Sequence, residues 1–373
     1  MRTPRALALS LAALLACVAL LASVACERNA TITGPDAPEP PSTESPTGPQ
    51  TLATLVFYNV ENLFDTEDDR DNELDDEFLA EADKRWTPER YTAKIAALAR
   101  VIGDLAVEEV PGGPALVGLA EVENARVLRD LTAAIAEAGP AYDIAHFDSP
   151  DFRGIDNALL YQPALFTPLY SAPVAVSLPP REGSTKRRTT RDILYVKGLL
   201  GGDTLHYFVN HWPSRGGGEV ESRPGRFEVA RVLRGLVDSI AAVVPDADVV
   251  IGGDLNDDPD DESVVRVLGS APRRDLASAT LLYNPFAALH ERGEGTLGFR
   301  RAWNLFDQLL FSEGLARHGG DWSVRDVQIF KPDYLLQDSG SYAGFPERTY
   351  VGDDYRGGYS DHLPVYAVLQ RER

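Results

Sequence analysis

The chain has 373 residues, and the hydrophobic 44% of them is enough to bury the core of one large domain or of two ordinary ones. Asp and Glu number 57 against 36 Lys and Arg, which gives a formal net charge of −21. Such a chain repels nucleic acid at long range, so the charge argues against a non-catalytic DNA-binding module, although an enzyme with a bound cation and a local basic patch stays open.

The N-terminal segment has the composition of an export signal. Two arginines precede an apolar run that contains no acid and ends at Ala25, as in secretory signal peptides. Cys26 follows this run and resembles the acylated cysteine of a bacterial lipobox, although Ser23 stands where leucine is usual. We predict a signal peptide over residues 1–25 and a lipid anchor on Cys26.

Two alternatives to this N-terminal prediction stay open. Cys17 follows Leu14 and so fits the lipobox better in that detail, but lipidation there would leave a second apolar run in the mature chain. The run is also nearly long enough to be an uncleaved membrane anchor. With the anchor on Cys26, the protein would be an exported lipoprotein in the periplasm or at the cell surface, touching the membrane through its lipid.

The rest of the chain divides into a spacer and one domain. Residues 26–50 are rich in Pro, Ser, Thr and acids, which predicts a disordered tether. Residues 51–373 contain no second linker of this kind and form one predicted domain. Both cysteines of the chain precede it, so it offers no disulfide framework, zinc knuckle or catalytic thiol.

This domain alternates apolar, strand-like runs with a few helical patterns. Eight runs predict strands: Leu52–Asn59, Ala115–Glu121, Asn157–Tyr161, Ile193–Leu200, Leu205–Asn210, Asp248–Gly253, Phe306–Phe311 and His362–Leu369. Three patterns predict helices: one starting at Thr87-Pro88, one over Ala125–Ala138 and one over Arg226–Val243. Many strands with few helices between them favour an α+β fold with two sheets flanked by helices.

Polar side chains recur where these strands begin or end. They are Asn59 and Glu61, Glu121 and Glu123, Asn210 and His211, Asp254 and Asn256, Asp307, and Asp361 with His362. Each alone is as readily a turn or capping residue. Their repetition on several strands favours a shared cleft, in which carboxylates hold a hard cation.

Five of these segments resemble, in order, those of the endonuclease/exonuclease/phosphatase superfamily related to DNase I. They are Asn59, Leu119-Ala120-Glu121, Val209-Asn210-His211-Trp212, Gly253-Asp254-Leu255-Asn256 and Ser360-Asp361-His362. The resemblance extends over residues 57–365. It implies a four-layer α/β/β/α sandwich with the site at one rim.

The resemblance also implies a role for each matching residue. Mg²⁺ or Mn²⁺ would be held by Glu121, with Asn59 and Asp361 nearby. The implied catalytic residues are His211, Asp254, Asn256, Asp307 and His362. Among them, Asp307 would pair with His362 and favour its protonated form, which stabilises charge on a phosphoryl group. Asp156 is the candidate partner of His211.

Basic residues near the implied site are candidates for substrate contacts. The run Lys186–Arg188 is as readily a solvated loop as a phosphate site. Arg191 and Arg215 flank the site strands, and we predict that they bind substrate together with Asn210.

The predicted function is a metal-dependent phosphoesterase, with a nuclease acting on DNA or RNA as the leading form. Two alternatives stay open. One is a phosphodiesterase or phosphatase acting on a lipid or small-molecule phosphoester, and the other is a surface lipoprotein without catalytic activity. No protein partner is implied.

Overall fold

The computed structural model describes residues 50–68, 76–105, 108, 110–180, 183–317 and 321–372. The predicted signal peptide, Cys26 and the predicted tether up to residue 49 lie outside this part of the chain. No helix within it is both long and apolar enough to cross a membrane.

The described residues form seventeen strands, most of them in two large sheets. In chain order the strands are β1 (Gln50–Leu63), β2 (Leu116–Val122), β3 (Asp143–His146), β4 (Asp156–Tyr161), β5 (Phe166–Val174), β6 (Ile193–Leu200), β7 (Asp203–His211), β8 (Asp248–Asp254), β9 (Ser270–Ala271), β10 (Leu282–Tyr283), β11 (Leu297–Phe299), β12 (Ala302–Asn304), β13 (Asp307–Phe311), β14 (Ser323–Ile329), β15 (Tyr350–Val351), β16 (Asp354–Tyr355) and β17 (Val365–Glu372). The first sheet has the order β14-β17-β1-β2-β4-β3, and the second has the order β5-β6-β7-β8-β13-β10-β9. All eight predicted strands are present. The last one begins at Val365 rather than at His362, because Pro364 has no N–H to donate to a ladder.

Helices are fewer, and the three long ones are those that the sequence predicts. They are α1 (Pro88–Asp104), α2 (Ala125–Ala136) and α3 (Glu219–Ala241), and shorter ones are α4 (Phe286–Glu291), α5 (Glu313–Ala316), a π-helical segment (Ser263–Gly269) and the 3₁₀ turns Asp76–Phe78, Arg274–Leu276 and Asp333–Leu335. The helix α1 begins after Thr87, whose side chain accepts the N–H of Arg90, as an N-cap does.

The start of α3 differs from the prediction. The helix runs through Pro224 and begins at Glu219, one to two turns before the predicted Arg226. Proline removes one helical hydrogen bond, but the buried Arg226 guanidinium donates back to the carbonyl of Glu219 at 3.2 Å and to Ser222 Oγ at 2.8 Å. These bonds hold the first turns together.

The core lies in three slabs that separate four layers. Along β1, Leu55 and Phe57 face the core between the two sheets, whereas Val56 and Tyr58 face α1 and α2. The outer face of the second sheet packs against α3. Strands buried on both faces read as continuous apolar runs, which is why the inner strands are evident in the sequence. The predicted four-layer α/β/β/α sandwich is confirmed.

Strand directions bring the polar strand ends to one edge of the sandwich. The pairs β1–β2 and β7–β8 are parallel, so their carboxyl ends lie at the same edge of each sheet. Antiparallel β13 places Asp307 opposite Asp254, and parallel β7 places His211 opposite the same residue. The candidate site is therefore set by strand register.

Candidate active site

A hydrogen bond between the two sheets forms the centre of the site. Nδ2 of Asn59, where the regular pairing of β1 with β2 ends, donates to Oδ2 of Asp254 at 3.1 Å. The carbonyl of Asn59 accepts the hydroxyl of Ser360 at 2.7 Å, and this hydroxyl accepts the N–H of His362 at 3.1 Å. Three segments far apart in the sequence are thus fixed to one another.

Glu121 enters the site from a β-bulge. It is the extra residue between Ala120 and Val122 in the pairing of β2 with β4, and its φ is +64°. Bulges next to active sites turn a side chain out of the regular alternation of a strand. Its carboxylate accepts the N–H of Asn62 at 3.0 Å.

Arg153 neutralises Glu121. Its Nη1 and Nη2 lie 3.4 and 3.3 Å from the two carboxylate oxygens, and it also donates to the side-chain oxygen of Asn62. Burial alone would raise the pKa of Glu121, but the surrounding positive charges, that of Arg153 foremost, together outweigh burial and hold that pKa well below its usual range. Arg153 was not among the predicted site residues, because its partner comes from a distant strand.

Asp307 and His362 form the predicted pair. Nδ1 of His362 lies 2.7 Å from Oδ2 of Asp307, and both side chains are buried. Burial alone would lower the pKa of His362, but the charges of Asp307 and Asp254 raise it well above its ordinary value. His362 is therefore cationic at neutral pH.

Asp254 lies between the two histidines. Its Oδ2 is 3.8 Å from Nε2 of His362 and 3.5 Å from Nε2 of His211. Its pKa is raised to about 7. Burial and the charge of Asp307 raise this pKa, and the cationic His362 lowers it. A carboxylate with this pKa exchanges protons near neutrality, as a general base requires.

His211 differs from His362 in charge and in partners. Its Nε2 lies 3.8 Å from Oε1 of Glu121, and burial, together with the charge of Arg191, lowers its pKa well below the usual value. Its Nδ1 has no hydrogen-bond partner among the described residues. The candidate partner Asp156 is wrong, because its Oδ2 lies 3.0 Å from Nε2 of His146 and its Oδ1 is taken by Ser149.

Two further asparagines of the predicted site, Asn256 and Asn210, are buried like Asn59. Asn256 adopts a φ of +50°. Its backbone N–H donates to Oδ1 of Asp254 at 2.9 Å, and its side-chain amide donates to the carbonyl of Trp212 at 3.0 Å. Asn210 donates to the carbonyl of Phe208 at 3.0 Å, and its Oδ1 has no partner among the described residues. Gly253 leaves room for Asn210, because a Cβ there would lie 2.6 Å from the Cβ of Asn210.

The arginines predicted to bind substrate are engaged by the protein itself. Arg191 is buried and donates to Asp151 at 3.0 Å and to the carbonyl of Trp212 at 2.8 Å. Arg215 lies 2.7 Å from Asp261 and 3.3 Å from Asp258. In this state neither guanidinium is free for a phosphate, and Arg191 instead positions the segment after His211.

A network of charged side chains surrounds Asp361. Oδ2 of Asp361 is 2.7 Å from Nη2 of Arg348, whose Nε is 3.4 Å from Glu61. Nζ of the buried Lys94 donates to Thr349 Oγ1 and to the carbonyl of Tyr359, both at 2.6 Å. Burial lowers the pKa of Lys94 to about 8. This network, which the sequence analysis did not predict, positions the loop that carries Asp361.

The donor set at Glu121 fits a divalent cation. Its carboxylate stays ionised, and within the described part of the chain Asn59 Oδ1 accepts only the N–H of Glu61, at 3.0 Å. Carboxylate and amide oxygens are the ligands that Mg²⁺ and Mn²⁺ take. A second group, Asp254, Asp307 and His362, is close enough for an ion, but a cationic histidine bonded through Nδ1 does not suit one. Asp361 as a ligand stays a prediction.

Comparisons with known proteins agree with this geometry. Residues 54–371 match the sequence profile described as "Endonuclease/Exonuclease/phosphatase family". No curated protein matches the chain.

Solved structures of low sequence identity share the fold. Truncated TDP2 of Caenorhabditis elegans superposes with a TM-score of 0.51 at 19% identity, covering 85% of this chain and 97% of that one. The human nocturnin catalytic domain with bound sulfate gives 0.50 at 16%, covering 86% and 97%. An endonuclease/exonuclease/phosphatase family protein from Bacteroides thetaiotaomicron gives 0.50 at 15%, covering 87% and 100%. At these identities the likeness establishes the fold alone.

Proposed function

The chain belongs to the endonuclease/exonuclease/phosphatase family, and on that premise we propose that it is a divalent-metal-dependent phosphodiesterase that cleaves DNA or RNA. One observation carries the proposal: a buried carboxylate that titrates near neutrality, Asp254, lies 3.8 Å from the cationic ring of His362. A base and a cation side by side are what attack of water on phosphorus requires.

The residues of the chain have separate roles in this reaction. Water attacks phosphorus, the new P–O bond forms, and the bond to the leaving oxygen breaks. Asp254 accepts the proton of the attacking water, and Asn59 holds the carboxylate in place through its 3.1 Å hydrogen bond. The cationic His362 stabilises the negative charge on the phosphoryl oxygens, and Asp307 orients its ring.

A divalent cation would be held by Glu121, with Asn59 beside it. When bound, it would supply positive charge that stabilises the developing negative charge of the phosphoryl group. Arg153 neutralises Glu121 in its absence.

Nucleic acid is proposed as the substrate because two of the three activities in the family description, endonuclease and exonuclease, act on it, whereas the third is phosphatase. The test is a screen of the purified chain with Mg²⁺ or Mn²⁺ against plasmid DNA, RNA, a chromogenic phosphodiester and a phosphomonoester. The variant Asp254→Asn, prepared in the same way, controls for contaminating nuclease. Hydrolysis of the monoester alone would make the protein a phosphatase. If Asp254→Asn and the wild type were equally active on every substrate, the activity would come from a contaminant. The alternative of a lipoprotein without catalytic activity would then be favoured.

We also propose that the protein is exported and anchored to a membrane through a lipid on Cys26. Support comes from the sequence: an apolar run follows two arginines and ends directly before Cys26, and a polar spacer follows it. Export would make extracellular or periplasmic nucleic acid the accessible substrate.

A further inference from the structure

The hairpin formed by β11 and β12 begins beside His362. Leu297 forms an isolated β-bridge with His362. Leu363, the next residue after His362, donates its N–H to the carbonyl of Thr296 at 2.8 Å. The hairpin is therefore attached to the same backbone segment that carries the cationic ring of the proposed site.

The base of this hairpin is packed firmly. The ring of Trp303 stacks on that of Phe345, with centroids 4.6 Å apart. Gly298 allows this approach, because a Cβ at that position would collide with the Phe345 ring. This packing fixes the orientation of the hairpin tip relative to the rest of the domain, as a recognition element requires.

The tip consists of two arginines in a backbone conformation that disfavours them. Phe299 pairs with Ala302, so Arg300 and Arg301 form a two-residue turn, and their φ angles are +49° and +65°. A turn with positive φ at both positions favours Asn-Gly, and other residues adopt it at an energetic cost. Strain of this kind, found beside an active site, points to a function for the side chains.

The guanidinium groups of Arg300 and Arg301 are not neutralised by carboxylates in the described part of the chain. Neither guanidinium forms an ion pair or a hydrogen bond with any residue in the described part of the chain, although Arg300 lies over the Phe299 ring, 5.1 Å from its centroid. By contrast, Arg153 and Arg191 are both held by carboxylates. The Phe299 side chain, next to the arginines, is 57% exposed.

We propose that the tip of the β11–β12 hairpin binds a nucleic-acid strand beyond the scissile bond. Arg300 and Arg301 contact successive phosphates, and the ring of Phe299 stacks on a base. This inference rests on the proposed nuclease function and extends it. Three residues of extended chain separate Arg300 from Leu297, so the tip lies roughly 10 Å from the backbone of His362. A polymer that carries a phosphate about every 3.4 Å along each strand reaches both places at once, whereas a small phosphoester at His362 does not reach the tip.

The direct test replaces the two arginines by the residues that the turn prefers, Arg300→Asn with Arg301→Gly. The full chain is assayed with Mg²⁺ on a single-stranded oligonucleotide and on a chromogenic phosphodiester. We expect kcat/KM for the oligonucleotide to fall about tenfold or more relative to kcat/KM for the small ester. The slope of log kcat/KM against log salt concentration should become shallower by about 1.4, from about 0.7 per phosphate contact. The Tm should stay equal or rise, because the new turn is unstrained.

Three further variants separate charge, ring and position. Arg300→Lys with Arg301→Lys keeps both charges and should retain most of the oligonucleotide activity. Phe299→Ala should lower it about tenfold, as loss of one base stack does. Arg231→Gln with Arg325→Gln removes the same charge from exposed sites elsewhere, on α3 and on edge strand β14, and should leave the oligonucleotide-to-ester ratio as it is.

The outcomes distinguish this inference from the function on which it rests. If the wild-type chain hydrolyses the small ester but no nucleic acid, the proposed nuclease function is wrong and the hairpin inference falls with it. If the wild-type chain cleaves the oligonucleotide and the Asn-Gly variant does so equally well, the hairpin inference alone is overturned. It is also overturned if the variant loses binding to anionic phospholipid vesicles while its oligonucleotide activity is unchanged, since the tip then contacts membrane.

Discussion

Arg153 lies 3.4 and 3.3 Å from the two carboxylate oxygens of Glu121, at the place where the proposed cation would bind. A buried carboxylate with an arginine partner stays ionised, and it is a ligand that a divalent cation can take over from the guanidinium. The Arg153 guanidinium therefore keeps the proposed ligand carboxylate of Glu121 ionised.

We expect hydrolysis to disappear in excess EDTA and to return with Mg²⁺ or Mn²⁺. Replacing Glu121 by Gln keeps the shape of the side chain and removes its charge, so at least tenfold more Mg²⁺ should be needed for half-maximal activity. Titration of activity against free Mg²⁺ measures this shift. The matched control is Glu123→Gln, two residues along the chain, whose carboxylate accepts the N–H of Asp65. Full wild-type activity in EDTA would contradict the metal-dependent mechanism.

The packing between the sheets gives a prediction on stability. The hydroxyl of Tyr207 donates to the carbonyl of Val56 across the sandwich at 3.0 Å, and a Cβ on Gly252 would lie 2.6 Å from that hydroxyl. Gly252→Ala should therefore lower the free energy of unfolding by about 1–3 kcal/mol or more, as overpacking does. Urea denaturation measures it.

A second glycine provides the control for this substitution. Gly235 lies inside α3, and a Cβ there would meet nothing within 4 Å. Gly235→Ala should raise the free energy of unfolding by about 0.5–1 kcal/mol, because alanine loses less backbone entropy in a helix. Equal effects of the two substitutions would show that the space around Gly252 is not limiting.

The inner strands of both sheets could be predicted from the sequence, whereas the edge strands could not. Every predicted strand is an inner strand, and inner strands are buried on both faces. The edge strand β5 of the second sheet contains Pro168 and Pro173 and exposes Leu169, and β14, an edge strand of the first sheet, carries charges. Prolines and polar residues are tolerated at a sheet edge, so these segments lack the apolar runs by which a strand is recognised.

The strand-end residues of the candidate site could be predicted from the sequence, whereas the loop residue Arg153 and the partner of Asp156 could not. Side chains at strand ends meet because register brings them together, and Asp307 opposite Asp254 is an example. Other pairs depend on which elements become neighbours: Asp156 on β4 takes His146 on the adjacent strand β3 rather than His211, and Arg153, in the loop before β4, takes Glu121. The sequence spacing of these residues carries no signal for such choices.

The lipid anchor gives a prediction that mass spectrometry checks. The mature protein should begin at Cys26 and carry acyl chains, because cleavage precedes the cysteine of a lipobox. Cys26→Ser should yield an unacylated chain, whereas Cys17→Ser should change nothing in the mature product. A mature chain that begins elsewhere, or that retains residues 1–25, would show this prediction to be wrong.

The pair of Asp307 and His362 gives the sharpest prediction on catalysis. Asp307→Asn keeps the shape of the side chain and removes the charge that favours the imidazolium of His362. The variant should fold and lose tenfold or more in kcat, about 1.4 kcal/mol for each tenfold. His362→Ala should be at least as damaging. The double variant should be little worse than the worse single one, because residues that act as a unit are non-additive.

The pH dependence of kcat/KM distinguishes a catalytic pair from a structural one. The base Asp254 must be deprotonated and His362 protonated, so the profile of the wild type should be a bell whose acid limb lies near pH 7, where burial places the pKa of Asp254. The charge of Asp307 raises the pKa values of both Asp254 and His362. Without that charge both pKa values fall, so both limbs of the bell in Asp307→Asn should move to lower pH. A purely structural Asp307 predicts a lower Tm with both limbs unmoved, and measuring Tm on the same preparations separates the two.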